Sequence, residues 1–385
     1  MEKTSKIYVA GHKGMVGSAI SRHLIANGYT NLIYTPYPPF DLCDQKIVSD
    51  FFEKEKPEYV FLAAAKVGGI LSNNKYRAQF IYDNLMIQNN IIHQSYLSGV
   101  KKLLFLGSSC VYPRACPQPI KEEYLLSSEL EYTNEPYAIA KIAGIRMCES
   151  YNIQYGTNFI SVMPTNMYGP NDNYNLETSH VLPALIRKIH LGKCLENNDW
   201  SAIRVDLKKR PIEGVNENSS ETEILTIFAK YGIKIAPSTQ HPAPSTQHPA
   251  PSTQHPATST QQPVIITLWG SGSPYREFLY VDDMVEACVF LMNNVNFSDL
   301  ILQSSVAEIK NTQINIGTGQ DQTIAELAEL IKGVVGFRGK LEWDSSKPDG
   351  TPRKLLDVTK IKNLGWTEKI SLEEGIEKVF INYKK

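Results

Sequence analysis

The sequence predicts a doubly wound parallel α/β sheet joined to a smaller α+β lobe and interrupted by one inserted segment. Three observations carry this. β-Branched and aromatic runs alternate with helical stretches through the first half, a Gly-rich turn separates the first run from the first helix, and the alternation fades after about Pro164 before resuming. The runs KIYVA (6–10), NLIYT (31–35), YVFLA (59–63), KLLFL (102–106) and NFISVM (158–163) read as strands. Nearly continuous apolar strands belong in a sheet covered on both faces, which is the parallel case. Residues 15–27, 79–97 and 137–155 carry helical patterns and supply crossovers between strands. Past the irregular stretch MPTNMYGPNDN (163–173), a strand is expected at 264–269, a helix at 283–293, a strand at 313–316 and a helix at 323–334.

At 385 residues the chain has room for two or three units, and 39 basic against 40 acidic residues leave a formal charge of -1. No basic field exists to attract nucleic acid or an anionic membrane, so neither is expected as a partner. No run of about 18 apolar residues occurs, and the opening MEKTSKIYVAGHKG is not a targeting segment; a soluble cytoplasmic protein is expected. Cys43, Cys110, Cys116, Cys148, Cys194 and Cys288 form no CxxC pair and no Cys/His metal spacing, so no disulfide framework and no metal are expected.

Seven of the 22 prolines fall between Pro237 and Pro263, in three copies of APSTQHP and a decayed fourth, ATSTQQP, that together span 236–263. Two prolines per repeat and no large apolar position exclude a coiled coil and predict a disordered linker. Just before it, within 196–235, Ser220 and Glu223 have the form of a capping box ahead of Ile224, Leu225, Ile227, Phe228 and Tyr231, with Gly232 as a stop. That predicts a short amphipathic helix whose apolar stripe packs on the body or on a partner.

Chemistry concentrates at two places. In GHKGMVG, Gly11, Gly14 and Gly17 follow the first strand and open a helix, so backbone N–H groups can approach a pyrophosphate; a dinucleotide site is expected over Gly11, His12, Lys13, Gly14, Met15, Val16 and Gly17. The second strand ends Tyr34-Thr35-Pro36 without the acid that usually holds the ribose hydroxyls of NAD, and Lys13 could instead meet a 2′-phosphate, which favours NADP. The second place is Tyr137 and Lys141, four apart on one helix face, where an ammonium could lower the pKa of the phenol. Ser108, at the carboxyl end of KLLFL, would stand in the crevice of an open sheet and bond a substrate oxygen.

The turn, Ser108 and Tyr137-x-x-x-Lys141 resemble the extended short-chain dehydrogenase/reductase family. GSSCVYP (107–113), NEPYAIAKIAGIRMCESYN (134–152), SVMPTNMYGPNDN (161–173), SHVLPALIRK (179–188), WGSGSPYREFLYVDDM (269–284) and SKPDGTPRKLLDV (346–358) are similar, more narrowly, to its GDP-L-fucose synthase group. The resemblance covers almost everything except about 196–263. It implies a Rossmann domain over 1–165, a substrate lobe with returning Rossmann elements over 166–195 and 264–385, and a homodimer formed through a four-helix interface that includes the Tyr137 helix. It also implies a bifunctional enzyme: 3,5-epimerisation of GDP-4-keto-6-deoxy-D-mannose and its NADPH-dependent 4-reduction to GDP-L-fucose. By that resemblance Cys110 and His180 exchange the C3 and C5 protons, Tyr137 donates a proton, Ser108 polarises the ketone and Lys141 holds the nicotinamide ribose. Pro164, Thr165, Asn166, Met167 and His180 would flank the cofactor, and Lys188, Trp269, Arg276 and Asp349 would hold the GDP-sugar. Two features depart from the group: Thr35-Pro36 stands where an Arg often serves the 2′-phosphate, and the insert separates His180 from Trp269.

Two other functions compete. A 4-epimerase or 4,6-dehydratase of the same family would be expected to differ at Cys110, and a dehydratase to carry an acid pair there. A cofactor-binding sensor or scaffold recruiting a partner through the insert would have no need of the Ser108, Tyr137 and Lys141 set.

Overall fold

The computed structural model describes residues 1–35, 40–236, 263–301 and 308–385. In chain order, the first half runs β1 (Ile7–Ala10), α1 (Met15–Ala26), β2 (Leu32–Ile33), α2 (Gln45–Glu55), β3 (Tyr59–Leu62), α3 (Ile70–Lys75), α4 (Arg77–Leu97), β4 (Lys102–Leu106), α5 (Glu135–Tyr155), β5 (Phe159–Pro164) and β6 (Asn166–Tyr168). The second half runs α6 (Val181–Glu196), α7 (Trp200–Lys209), α8 (Glu221–Lys230), β7 (Ile233–Ile235), β8 (Val264–Trp269), β9 (Tyr275–Tyr280), α9 (Val281–Asn294) and α10 (Phe297–Ile301). It closes with β10 (Ile314–Ile316), β11 (Asp321–Thr323), α11 (Ile324–Val335), β12 (Lys340–Asp344), β13 (Arg353–Lys354), α12 (Thr359–Asn363) and α13 (Leu372–Lys384).

The main sheet is six-stranded, in the order β10-β5-β4-β3-β1-β2, and every pairing is parallel. The chain lays β2 on one side of β1 and β3 on the other, so the topology switches between β1 and β3 and opens a crevice at their carboxyl ends. Every residue of β1, β4 and β5 is buried, as continuous apolar runs require of a doubly covered sheet. The second strand is shorter than 31–35: only Leu32 and Ile33 pair with β1, and beyond them the Thr35 hydroxyl meets the Tyr8 phenol at 2.9 Å. The helix expected from Tyr137 starts two residues earlier, with Pro136 in its first turn, where its missing N–H removes no bond.

A second apolar core lies under α6, α11 and α13 and a three-stranded sheet, β12-β8-β7. The inserted segment is part of it. The expected capping box is formed, with Glu223 N–H donating to Ser220 Oγ at 3.3 Å and Ser220 N–H donating to Glu223 Oε2 at 2.8 Å. Its stripe packs on the body: Ile224, Ile227 and Phe228 are buried with Ile203 and Leu207 of α7, each worth about 2 kcal/mol of apolar transfer. Helix α7 was not expected from the sequence. It is pinned by Asp206, which accepts Arg187 Nε at 3.0 Å and Nη2 at 2.8 Å, Arg210 Nη1 at 3.2 Å and the Tyr383 hydroxyl.

The repeat lies outside the described residues apart from its ends. Those ends are close: β7 and β8 pair antiparallel with Ile235 opposite Val264, and Ala236 N–H donates to Pro263 O at 2.7 Å. Ala236 and Pro263 thus stand side by side at the open end of a hairpin.

Candidate functional site

The Gly-rich turn closes the β1 end of the switch crevice. Gly11 holds φ +84° and packs so tightly on the end of β3 that a Cβ there would stand 2.8 Å from Ala64 Cα. A Cβ on Gly17 would stand 2.1 Å from Gly11 O, so α1 begins directly beneath the turn. Gly14 caps α1 with no side-chain acceptor, leaving the first helical N–H groups and the positive end of the helix for an anion. These features fit a dinucleotide pyrophosphate. Lys13 is exposed on the turn, and His12 packs on Tyr34, just past β2, with ring centroids 4.8 Å apart. Pro36 lies outside the described residues.

At the carboxyl end of β4 the chain turns through Ser108, whose Oγ accepts the Cys110 N–H at 3.3 Å. The same hydroxyl faces both the Tyr137 phenol and the Cys110 thiol. Helix α5 packs over β4 and delivers Tyr137 and Lys141 from one face; Lys141 Nζ donates to Leu106 O at 2.8 Å and stands 5.8 Å from the Tyr137 ring centroid. Four groups, Ser108, Cys110, Tyr137 and Lys141, therefore meet in one place.

Their acidities follow from that burial. The Tyr137 phenol is pushed up by burial and by the Cys110 thiol, with Ser108 partly offsetting both. The sequence suggested that Lys141 would lower it; instead the ammonium is turned to the Leu106 carbonyl, and burial lowers its own value to about 8. Tyr137 is accordingly held protonated, as a proton donor must be. Burial also raises the Cys110 thiol, while Lys354, Ser108 and Lys141 lower it.

His180 stands at the amino end of α6, and the surrounding protein lowers its imidazole. It donates to no group among the described residues. Its loop packs on the segment after β3, where a Cβ on Gly69 would lie 3.2 Å from Thr178 O. The strip Pro164, Thr165, Asn166 and Met167 is clamped to β9: Asn166 Nδ2 donates to Glu277 O at 2.8 Å, and Met167 stands opposite Leu279.

Trp269, Arg276 and Asp349 gather at the ends of β8 and β9. Trp269 is 61% exposed, which rules out a core role for so large a ring. Asp349 accepts Ser271 N–H at 2.9 Å and Ser271 Oγ at 2.6 Å, and Arg276 Nη1 donates to Thr351 O at 2.6 Å. Lys188, on α6, is half-buried with no hydrogen bond or ion pair among the described residues, and burial lowers it to about 8.

Two residues were missed. Glu277, wholly buried, accepts N–H groups of Thr318 and Gly319 at 2.7 Å and of Leu356 at 3.0 Å, tying β9 to the segments that follow β10 and β13. Lys354 neighbours Arg353 in sequence, and strand alternation sends the two to opposite faces: Arg353 pairs with Asp321 at 2.7 and 2.9 Å, while Lys354 turns inward. Alternation alone could have separated them, but not told which faced the site.

A Gly-rich strand-to-helix turn sharing a cleft with a Ser, Tyr and Lys set defines a dinucleotide-dependent oxidoreductase. The chain belongs to the NAD dependent epimerase/dehydratase family, whose model matches residues 7–205 and 220–317 and so extends into the insert. It is 47% identical over 384 residues to GDP-L-fucose synthase 1 of Arabidopsis thaliana, covering 100% of this chain and 94% of that one. It is 43% identical over 375 residues to GDP-L-fucose synthase of Escherichia coli, covering 97% and 95%. Among solved structures, a GDP-D-glycero-L-gluco-heptose synthase from Campylobacter jejuni, crystallised in the presence of NADPH, matches with a TM-score of 0.85 at 41% identity, covering 100% of both chains. Among the described residues no helix is long and apolar enough to cross a membrane, and no group of three His, Cys, Asp or Glu could hold a metal.

Proposed function

We propose that the protein converts GDP-4-keto-6-deoxy-D-mannose to GDP-L-fucose, epimerising C3 and C5 and reducing C4. The observation that carries this reading is the Cys110 thiol seated against the same Ser108 hydroxyl that faces Tyr137. A ketone bound there acidifies the protons on its two neighbouring carbons. Cys110 and His180 exchange those protons, and Ser108 and Tyr137 stabilise the enolate oxygen. The same two hydroxyls serve the alkoxide of the reduction, with Tyr137 giving its proton to O4.

The cofactor is NADPH, which supplies hydride to C4. Gly11, His12, Lys13, Gly14, Met15, Val16 and Gly17 hold its phosphates, Lys141 its nicotinamide ribose, and Pro164, Thr165, Asn166, Met167 and His180 flank its nicotinamide end. Lys188, Arg276, Trp269 and Asp349 bind the GDP-sugar, the cations on phosphate and the exposed ring on an apolar or base surface. Helices α4 and α5 pack together and leave Tyr82, Leu97, Ile153 and Tyr155 exposed, which supports a homodimer through those helices. Six free thiols support a reducing, cytoplasmic setting.

A second substrate merits a direct test, because the Campylobacter jejuni heptose synthase matches over the whole of both chains. Purified protein is incubated with NADPH and either GDP-4-keto-6-deoxy-D-mannose or a GDP-4-keto-heptose, following cofactor absorbance and solvent deuterium at C3 and C5. NADPH oxidation with the deoxyhexose supports the reading. Oxidation with the heptose alone replaces the sugar, and none with either ends the proposal.

A further inference from the structure

Beyond β3 the chain carries two consecutive glycines, Gly68 and Gly69, that the reading above leaves without work. Neither takes a left-handed conformation, and Gly69 stands at φ -68°, so the backbone does not demand glycine at either position. The constraint is space. A Cβ on Gly68 would stand 2.9 Å from Ser72 Oγ and 3.2 Å from Phe80 Cζ, and one on Gly69 would stand 3.2 Å from Thr178 O and 3.5 Å from Ser179 O.

Each contact leads to a different reactive group. Phe80 is 1% exposed, and its ring meets that of Tyr137 edge to face, with centroids 6.4 Å apart and planes at 80°. Gly68 therefore lies against the ring that packs on the proton donor. On the other side, Thr178 and Ser179 directly precede His180. The glycine segment between them is fixed to the body. Lys66 N–H donates to Asn84 Oδ1 at 2.9 Å, and Asn84 Nδ2 donates to Lys66 O at 3.1 Å and to Phe80 O at 2.7 Å. Asn73 Nδ2 donates to Gly68 O at 2.6 Å and to Gly69 O at 3.1 Å. The Thr178–Ser179 turn is closed within its own loop, with Ser179 N–H on Asn175 O at 2.9 Å and Thr178 N–H on Asn175 Oδ1 at 3.1 Å, so it can shift as a unit. A side chain added at either glycine is thus relieved by movement of its neighbour.

We propose that Gly68 and Gly69 are positioning residues that set the separation of Tyr137 from His180, Gly68 through the room it leaves Phe80 and Gly69 through the close approach it allows the His180 loop. The inference rests on the function proposed above, in which one bound ketone must be reached by both groups. Such a site tolerates little displacement, since a misplacement of about 1 Å can cost about 10²-fold in rate. A methyl group at Gly69 moves the His180 loop by a few tenths of an ångström and leaves Tyr137 in place; one at Gly68 moves Phe80, and Tyr137 with it, and leaves His180 in place.

The test uses that split. Gly69→Ala should lower deuterium entry at C3 and C5 by about tenfold and NADPH oxidation on the already epimerised ketone by about twofold at most, while Gly68→Ala and Phe80→Leu should do the reverse. Urea titration identifies the variants that fold. The positions are read directly by NMR on sugar-free protein labelled with ¹³Cε1-histidine and ¹³Cζ-tyrosine, the His180 and Tyr137 signals being assigned by their loss in His180→Gln and Tyr137→Phe. Gly69→Ala should move the His180 signal and leave that of Tyr137, and Gly68→Ala should do the converse. Proportional loss of both activities in folded Gly68→Ala and Gly69→Ala would overturn the proposal, as would signals that stay where they are in wild type. If the signals divide as expected while wild type turns over no 4-keto sugar, the assigned reaction fails and the spacing role stands.

Discussion

The two cores of the molecule place their functional groups by different means. In the sheet core, Gly11, Ser108 and Pro164 all lie at or just beyond carboxyl ends of strands β1, β4 and β5, so one topological rule puts them on one crevice. At the edge of the second core, Trp269, Arg276 and Asp349 come from separate segments, and Asp349 and Arg276 are oriented by particular polar contacts, to the Ser271 hydroxyl and the Thr351 carbonyl. Parallel-sheet topology gives a site for free once the strands form, whereas a lobe of mixed elements holds its site through polar contacts that must each be made.

The largest test of that contrast separates the two half-reactions inside the sheet core. Tyr137→Phe should cut NADPH oxidation by about 10²–10⁴-fold and leave measurable deuterium exchange, and Cys110→Ser should do the converse on the already epimerised ketone. Equal loss of both activities in each variant would refute the division. Next in size is Asp206→Ala in the second core, which strands the buried Arg187 and should destabilise by about 3–5 kcal/mol in urea titrations. An unchanged unfolding midpoint would mean that α7 is not pinned as described.

Gly17→Ala acts on the other core through backbone contact and should cost about 1–3 kcal/mol together with much of the NADPH affinity, read by fluorescence titration. Retained affinity would show that α1 can shift without disturbing the turn. A smaller effect comes from pH. Burial lowers Lys188 to about 8, so its positive charge is present below that pH and lost as pH rises through it. The KM for the GDP-sugar should climb a few-fold above pH 8 in wild type and less so in Lys188→Arg; a flat profile would remove Lys188 from phosphate binding. The smallest effect is expected from replacing 237–262 with a two-residue turn. Ala236 and Pro263 are already bonded, and loop closure depends weakly on length, so kcat should stay within about twofold.

Much of the sheet core was legible because its signals are local. The strands at 6–10, 59–63, 102–106 and 158–163 are found at β1, β3, β4 and β5 within a residue or two, and the four groups that meet at Ser108 sit at fixed offsets from a strand end or a helix turn. The second core was read less well. Helix α7 and strand β7 were missed: α7 alternates apolar and charged residues from Ile203 to Lys208, a period that does not read as helical, and β7 is a three-residue strand that pairs with β8 across the repeat. The segment at 196–235, set apart by its lack of resemblance, proved to be part of the core.

By itself the sequence determined the parallel sheet, the dinucleotide turn and the placing of Ser108, Tyr137 and Lys141, because periodicity and strand-end placement are short-range properties of the chain, while Cys110 was marked by resemblance alone. Only the tertiary structure decided their protonation. The Lys141 ammonium turns to a carbonyl instead of to the phenol, and burial, which no local pattern encodes, keeps Tyr137 protonated. It also decided which of two adjacent basic residues turns inward, since Arg353 finds Asp321 across a strand pair and leaves Lys354 on the inner face. That choice depends on pairing between separate strands, Arg353 with an Asp321 that is 32 residues away and Lys354 beside Arg276, and desolvation acts only once they meet.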